Sequence, residues 1–392
     1  MTLTQQLGIP FEYDVQNYAN SQIINFSDLE LNISLERFEK ISSELANVID
    51  KTAMEISNNP DLIKSLGYPE SISDVPDSNL CIMRLSYVVD LAGKPNLIEV
   101  NSQTPSFWWE CETGSDKILE LQNLTRIPQY LENLKDCLKN SVKLLEIKLQ
   151  KFLKPKIGLV TCDSADDIFQ MVFVQNIINE LGIATNTEVL TIDKIDIANS
   201  NRVFSMNTDE EFDILLFWYP IEWLVNEKFA DDSNAATKFF ELLKMNKLAF
   251  FNGIQSFVTQ NKNLFGYITE LSENLHSNLL PTYYTIEELK TQNPNSNWIG
   301  KPIFGREGRG VFGEVGAQNI AGDCTDDYYN NQLYVYQNFI DSQKIEYLGK
   351  QYFYTLEKWM YKTSSGWKSG GHGLRLTQDN IVDNKSIWVV LN

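Results

Sequence analysis

The chain has 392 residues, 43% hydrophobic and 22% charged, which excludes an intrinsically disordered protein and leaves room for two or three packed domains. Its 33 basic and 52 acidic side chains give a net charge of −19, so the summed field repels phosphate and no nucleic-acid partner is expected. That charge suits either a well-solvated acidic surface or the attraction of a cationic substrate such as a polyamine.

No apolar run approaches the roughly 20 residues of a membrane span, and the N-terminal MTLTQQLGIPFEYD has no signal-peptide pattern. Five scattered cysteines without a C-x-x-C pair fit reduced thiols, so a cytoplasmic protein without membrane contact is expected. Two histidines, His276 and His372, are too few for a multi-histidine metal centre.

In chain order, Leu35, Phe38, Ile41, Leu45, Val48, Ile49 and Ile56 recur at helical spacing and predict a long amphipathic helix. The runs 79–87 (NLCIMRLSY) and 96–100 (NLIEV) flank a turn composition at 90–95 and predict an antiparallel hairpin. Helix returns from about Asp116 to Phe152, with a break near Pro128. Residues 156–161 read as a buried strand, followed by a helix that Ser164 can cap and Gly182 stops. Further strands at 187–191 and 213–218 complete an alternation that implies a small parallel sheet. Beyond Ile254 the pattern becomes mixed α+β, with strands predicted at 298–303, 311–315, 333–339, 352–361 and 387–391. The fold class is α/β (α+β), without internal repeats.

Along a strand alternate side chains share a face, so Arg84 projects with Ser86, and Glu99 with Asn101, from the two arms of one hairpin. A carboxylate beside an amide oxygen suits Mg²⁺ shared with phosphates, or is a polar strand end facing water. The run Trp298-Ile-Gly-Lys301-Pro-Ile-Phe-Gly305-Arg-Glu-Gly308-Arg-Gly310-Val-Phe places a lysine on a strand, then three glycines, then another strand. Its glycines allow backbone N–H groups to approach an anion, but it is neither a Walker A loop nor a dinucleotide fingerprint, both of which open a helix. A strand–loop–strand lid over phosphates fits better than either. Tyr334 to Phe339 reads as a buried strand or as a hinge whose backbone and Gln337 side chain read an adenine edge.

Gly370-Gly-His-Gly-Leu-Arg375 brings an arginine in on a glycine-rich approach, where it could clamp a transferring phosphoryl group; His372 reads as a bystander. The aromatic runs 104–110 and 218–223 hold Glu110 and Glu222. Aromatic clusters are usually core, yet both runs follow strand ends, where α/β proteins place ligands.

Together these residues resemble the synthetase domain of glutathionylspermidine synthase, an ATP-grasp-like carboxylate–amine ligase. Lys301-Pro-Ile-Phe-Gly-Arg-Glu-Gly308 is similar to that family's lysine-bearing phosphate lid, and Glu99-x-Asn101 to its magnesium motif, with Arg84 on the preceding strand. Thr104 and Ser106 match its hydroxyl residues near the acceptor carboxylate. Ser256 to Leu271 resembles its other ATP-contacting segment through Lys262, and Gly373-Leu-Arg375 the stretch bearing its catalytic arginine. The chain departs from the family in two places. The aspartate two residues after the arginine is Ser86, for which Asp90 could compensate if the strand continues. The acidic residues after the second arginine are Leu376-Thr377-Gln378, with Asp383 and Asn384 following.

The resemblance implies an ATP-grasp-like fold with a small parallel pre-ATP-grasp subdomain. It implies three regions: residues 1–115 with the helical segment and metal-site hairpin, 116–255 with the α/β substrate subdomain, and 256–392 with the nucleotide site and lid. It implies ATP and Mg²⁺ as cofactors and an acid–amine ligation through an acyl phosphate. Arg375 and Arg84 would be catalytic. Lys262, Lys301, Gly305, Gly308, Gly310 and Gln337 would hold ATP, and Glu99, Asn101 and Ser86 the metal. Thr104, Ser106, Glu110 and Glu222 would meet small-molecule or peptide carboxylate and amine substrates. No amidase domain is expected.

Overall fold

The computed structural model describes residues 23–392 apart from 73–74, 76–79, 122, 125–129, 152, 198–200, 230, 273–274, 317, 380 and 382–385. The predicted break at Pro128, and Asp383 and Asn384, lie outside the described residues. The first hairpin forms as its alternation predicts: β1 (Ile82–Val89) pairs antiparallel with β2 (Pro95–Asn101) around a turn in which Gly93 has φ +81°. A Cβ on Gly93 would lie 2.4 Å from the carbonyl oxygen of Glu30, so only glycine fits. The helix Leu35–Ser57 packs its apolar stripe behind this hairpin, with Phe38 edge-on to Tyr87 at 5.1 Å.

The middle of the chain builds the parallel layer. β3 (Lys156–Thr161) and β4 (Asn186–Thr191) are joined by the helix Ala165–Leu181, which ends at Gly182 in the left-handed region; Ser164 occupies the N-cap position without a capping side-chain bond. Three short strands, β5 (Ile195–Asp196), β6 (Val203–Ser205) and β7 (Glu211–Phe212), form a small antiparallel sheet. Then β8 (Ile214–Trp218) and β9 (Ala249–Phe251) complete a parallel sheet in the order β4-β3-β8-β9.

The last third forms a second antiparallel sheet from β10 (Thr282–Tyr283), β11 (Trp298–Pro302), β12 (Phe312–Val315), β13 (Gln318–Ala321) and β14 (Tyr334–Asn338), ordered β10-β14-β11-β12-β13. The glycine-rich segment is thus the loop of the β11–β12 hairpin. Finally β15 (Lys344–Tyr347), β16 (Lys350–Thr363), β17 (Gly366–Thr377) and β18 (Ile387–Val390) return to the first hairpin, giving the order β18-β17-β16-β1-β2 with β15 also on β16.

One strand is not among those predicted: the glycine-rich approach Gly370 to Arg375 is the interior of β17. Its glycines permit a close approach: a Cβ on Gly371 would lie 1.9 Å from the carbonyl oxygen of Cys111, in the turn Glu110–Gly114 that packs on the sheet. The aromatic runs divide. Trp108 is core, stacked between Trp218 at 5.5 Å and Trp359 at 5.1 Å, whereas Phe107 and Trp223 line a cavity.

Candidate active site

Strand register decides which polar side chains meet. Arg84 lies opposite Asn101, and Ser86 opposite Glu99, across β1 and β2. On the other side of β1, Ser86 lies opposite Glu357, and Thr355 lies opposite Arg375 across β16 and β17. Because alternation is preserved, Arg84, Ser86, Glu99, Asn101, Thr355, Glu357 and Arg375 share one face of the six-stranded sheet. Glu357 is fully buried, and each of its carboxylate oxygens accepts a hydrogen bond. Ser86 Oγ donates to its Oε2 at 2.5 Å, Thr355 Oγ1 donates to its Oε1 at 2.8 Å, and Arg84 Nε stands 3.1 Å from Oε2. The second arm of Arg84, Nη1, donates to the Ser106 carbonyl at 3.0 Å. Phe107, the next residue, is held at φ +70°, a strained conformation for a bulky side chain, and stacks on Trp388 at 3.6 Å.

The second sheet brings Lys301, and the helical segment before Asn263–Leu271 brings Lys262. Lys301 on β11 projects beneath the lid, its Nζ donating to Gln337 Oε1 at 2.8 Å, while Gln337 Nε2 donates to Thr282 Oγ1 at 2.8 Å. Gln337 therefore steadies the lysine, and its side chain is not free to read a base edge. Lys262, ahead of the helix Asn263–Leu271, donates to the Gly305 carbonyl at 2.7 Å and lies 4.0 Å from Glu99 Oε1. Burial pushes the Lys301 ammonium down to about 8, against the pull of Glu99. Burial likewise lowers Lys262 and Arg375. Burial alone would raise the Glu99 carboxyl, but Lys262, Lys301, Arg84 and Arg375 together hold it below the usual carboxylate range.

The lid glycines divide by role. Gly308 and Gly310 have φ of +70° and +68°, which the loop path requires; Gly305 lacks a positive φ and instead offers its carbonyl to Lys262. Gly308 and Gly305 line a cavity and Gly310 shapes the loop, its carbonyl accepting from Tyr334 Oη at 3.1 Å.

Two cavities meet at Glu99, Glu307 and Gly308. The first, lined by Lys262, Lys301, Gly305 and Gln337, runs into an apolar end of Ile98, Leu280, Ile299 and Phe339. The second is polar and holds Arg84, Asn101, Thr104, Ser106, Arg306 and Arg375. The lid tip is tied across it: Arg306 Nε donates to Glu222 Oε1 at 2.7 Å, Nη1 to Thr104 Oγ1 at 2.9 Å, and Nη2 to Gln103 Oε1 at 2.8 Å.

This corrects the expectation for two substrate carboxylates. Glu222 is buried and held by Arg306, and Glu110 is buried and accepts from Gln170 Nε2 at 2.9 Å. Besides Glu99 and Glu307, the carboxylates on the wall of the polar cavity are Asp166 and Asp167, both raised by burial. Asp90 does not compensate for Ser86 either. Its carboxylate organises the hairpin turn, accepting from the backbone of Ala92 and Lys94 at 2.9 Å. Arg306 and Glu357 were missed. The lid motif contained Arg306, but nothing local marked its partners, and Glu357 sits in a strand whose pairing no local pattern reveals.

Among the described residues no group of three or more His, Cys, Asp or Glu side chains could hold a metal ion. A cation here would need oxygens of other kinds as well, and the donor set supplies them. Glu99 is partly exposed at the meeting point of the cavities, and among the described residues Asn101 Oδ1 accepts the Thr104 N–H at 3.2 Å and no other donor. Hard oxygen donors beside an anion pocket fit Mg²⁺.

The interleaved sheets and the site built on them define a glutathione synthetase-like fold. A glutathione synthetase like-effector from Globodera pallida, solved in its apo form, superposes with a TM-score of 0.56 over 95% of this chain and 88% of its own, at 10% identity. The family described as Glutathionylspermidine synthase preATP-grasp matches residues 3–390, and the chain belongs to it. A Haemophilus influenzae protein provisionally named an acid–amine ligase is 31% identical over 214 residues, 52% of this chain and 48% of that protein. The chain thus spans about half the length of this curated relative. Among the described residues no helix is long and apolar enough to cross a membrane.

Proposed function

We propose that the protein is an ATP-dependent acid–amine ligase. The observation that carries this reading is the convergence of Lys262, Lys301, Arg84 and Arg375 on Glu99, where an apolar-ended cavity meets a polar one. Four cations against the two carboxylates Glu99 and Glu357 still leave an excess of positive charge suited to phosphate, and the apolar end suits a base. Family membership and the name of the Haemophilus influenzae relative support the ligase class.

In this reading Lys262 and Lys301 neutralise the ATP phosphates beneath the lid. A substrate carboxylate lying near Thr104 and Ser106 attacks the γ-phosphoryl group, giving an acyl phosphate and ADP. Arg375 and Arg84 stabilise charge on the moving phosphoryl group and on the tetrahedral intermediate. An amine, drawn by Asp166 and Asp167, attacks the acyl carbon and phosphate leaves. Mg²⁺, held by Glu99 and Asn101, would offset phosphate charge. The lid, latched by Arg306, keeps water from the acyl phosphate.

The test is a panel of carboxylic acids and amines, including polyamines and peptides, incubated with purified protein and Mg²⁺-ATP. ADP and phosphate release would be followed, with mass spectrometry of the products. Phosphate release that needs both an acid and an amine is the expected result. Ser86, a poor metal ligand, favours a second reading as an ATP-binding protein without ligation; nucleotide binding with no release on any pair would select it. Release only with a peptide or protein acceptor would make the enzyme a peptide-tailoring ligase.

A further inference from the structure

We propose that Trp388 is a positioning residue that aims Arg375 into the polar cavity, and that its stack on Phe107 sets Arg375 against the turn that anchors Arg84. This rests on the ligase reading above and adds to it the residue that holds its principal arginine in place.

Trp388 lies directly opposite Arg375 across β17 and β18, so indole and guanidinium share one face of the sheet. The guanidinium carbon of Arg375 stands 5.9 Å from the indole ring centroid, within cation–π reach. Gly373, two residues earlier on the same face, leaves room for the ring: a Cβ there would lie 3.3 Å from Trp388 Cζ3. The indole also stacks on Phe107, with centroids 3.6 Å apart and planes 25° from parallel. Phe107 is held at φ +70°, which a bulky residue keeps only where its surroundings over-determine it. Its neighbour Ser106 presents the carbonyl that accepts from Arg84 Nη1 at 3.0 Å. One turn thus ties Arg84 by a carbonyl and Arg375 through two stacked rings, and both arginines line the same cavity.

Charge explains why such a bracket is needed. Arg84 repels Arg375, while Glu357 attracts it. A guanidinium on a long flexible stem, pushed by a like charge, samples many positions unless a flat surface holds it. The competing view makes the buried Trp388 only a piece of the core. That view predicts lost stability in a Trp388 variant, with no change of kcat in the folded fraction and no coupling to Arg375.

The experiment measures phosphate release by the full-length protein with Mg²⁺-ATP and the acid–amine pair of the panel that reacts fastest. It compares the natural protein, Trp388→Leu, Arg375→Ala and the double variant, each checked for folding by circular dichroism. Trp388→Leu should lower kcat about tenfold and leave the KM for ATP unchanged. In the Arg375→Ala background most of that loss should vanish, since the guanidinium that the indole aims is gone. If Trp388→Leu does not fold, Phe107→Gly decides the matter. Glycine accepts φ +70° and removes the ring on which the indole rests, so kcat should again fall only while Arg375 is present. Unchanged kcat in the folded variant, or an equal loss with and without Arg375, overturns the role of Trp388 alone. Failure of every pair to release phosphate with the natural protein removes the ligase reading, and this inference with it.

Discussion

The two faces of the six-stranded sheet both bury charge, and they do so to opposite ends. On one face Arg84 and Arg375 line a cavity with Glu99, and Glu357 is buried against Arg84. On the other, Lys358 is fully buried, donates to the Gly370 carbonyl at 2.8 Å and to Glu39 at 3.2 Å, and sits 4.2 Å from the Tyr130 ring centroid. His372, its cross-strand neighbour, closes that cluster. Burial of an ion therefore does not mark function here. What separates the faces is balance: Lys358 is matched by local acceptors, whereas four cations outnumber Glu99 and Glu357 next to open space.

That contrast breaks if variants on the two faces behave alike. The largest effect is expected at Arg375→Ala, which should lower kcat by about 10²–10³ while leaving nucleotide affinity little changed; equal losses in binding and turnover would contradict its placement at the moving phosphoryl group. On the sealed face, Lys358→Ala should cost about 3 kcal/mol of stability, because Glu39 and the Gly370 carbonyl lose a buried donor. Denaturant unfolding measures it, and the surviving folded fraction should bind nucleotide normally.

Lys301→Ala should weaken ATP binding by roughly a hundredfold, about 2.7 kcal/mol, in calorimetric titration. It should destabilise the nucleotide-free protein less than Lys358→Ala does, since relief of an unfavourably buried charge offsets part of the loss of the donor to Gln337. The smallest effect is the pH profile. With the Lys301 ammonium near 8 in the free protein, ATP affinity should be flat below pH 8 and fall above it, by at most about tenfold per unit, as binding comes to require proton uptake. The unfolded chain, with its ordinary lysine, holds more protons than the folded one between pH 8 and 10.5, so this group adds stability as pH rises through that window. A flat affinity profile to pH 10 would show that Lys301 does not meet the phosphates.

The amino-acid sequence by itself determined the local elements and several polar pairs. The β1–β2 hairpin, the β3–helix–β4 unit and the strand–loop–strand lid follow from alternation, helical spacing and glycine placement, all of which act over a few residues. Pairs two apart on one strand, such as Glu99 with Asn101 and Arg84 with Ser86, were legible for the same reason. The tertiary structure alone decided the rest. Glu357 meets Ser86 across 271 positions of sequence, and Arg306 meets Glu222 and Thr104 from the lid tip, through registers that no local period encodes. Gly370 and Gly371 lie within β17, where pairing with β16 makes them strand and the close approach of Cys111 leaves no room for a side chain on Gly371. Glu110 and Glu222 look available in sequence but are consumed by buried partners, since a carboxylate removed from water must find a donor or a cation wherever the fold brings one.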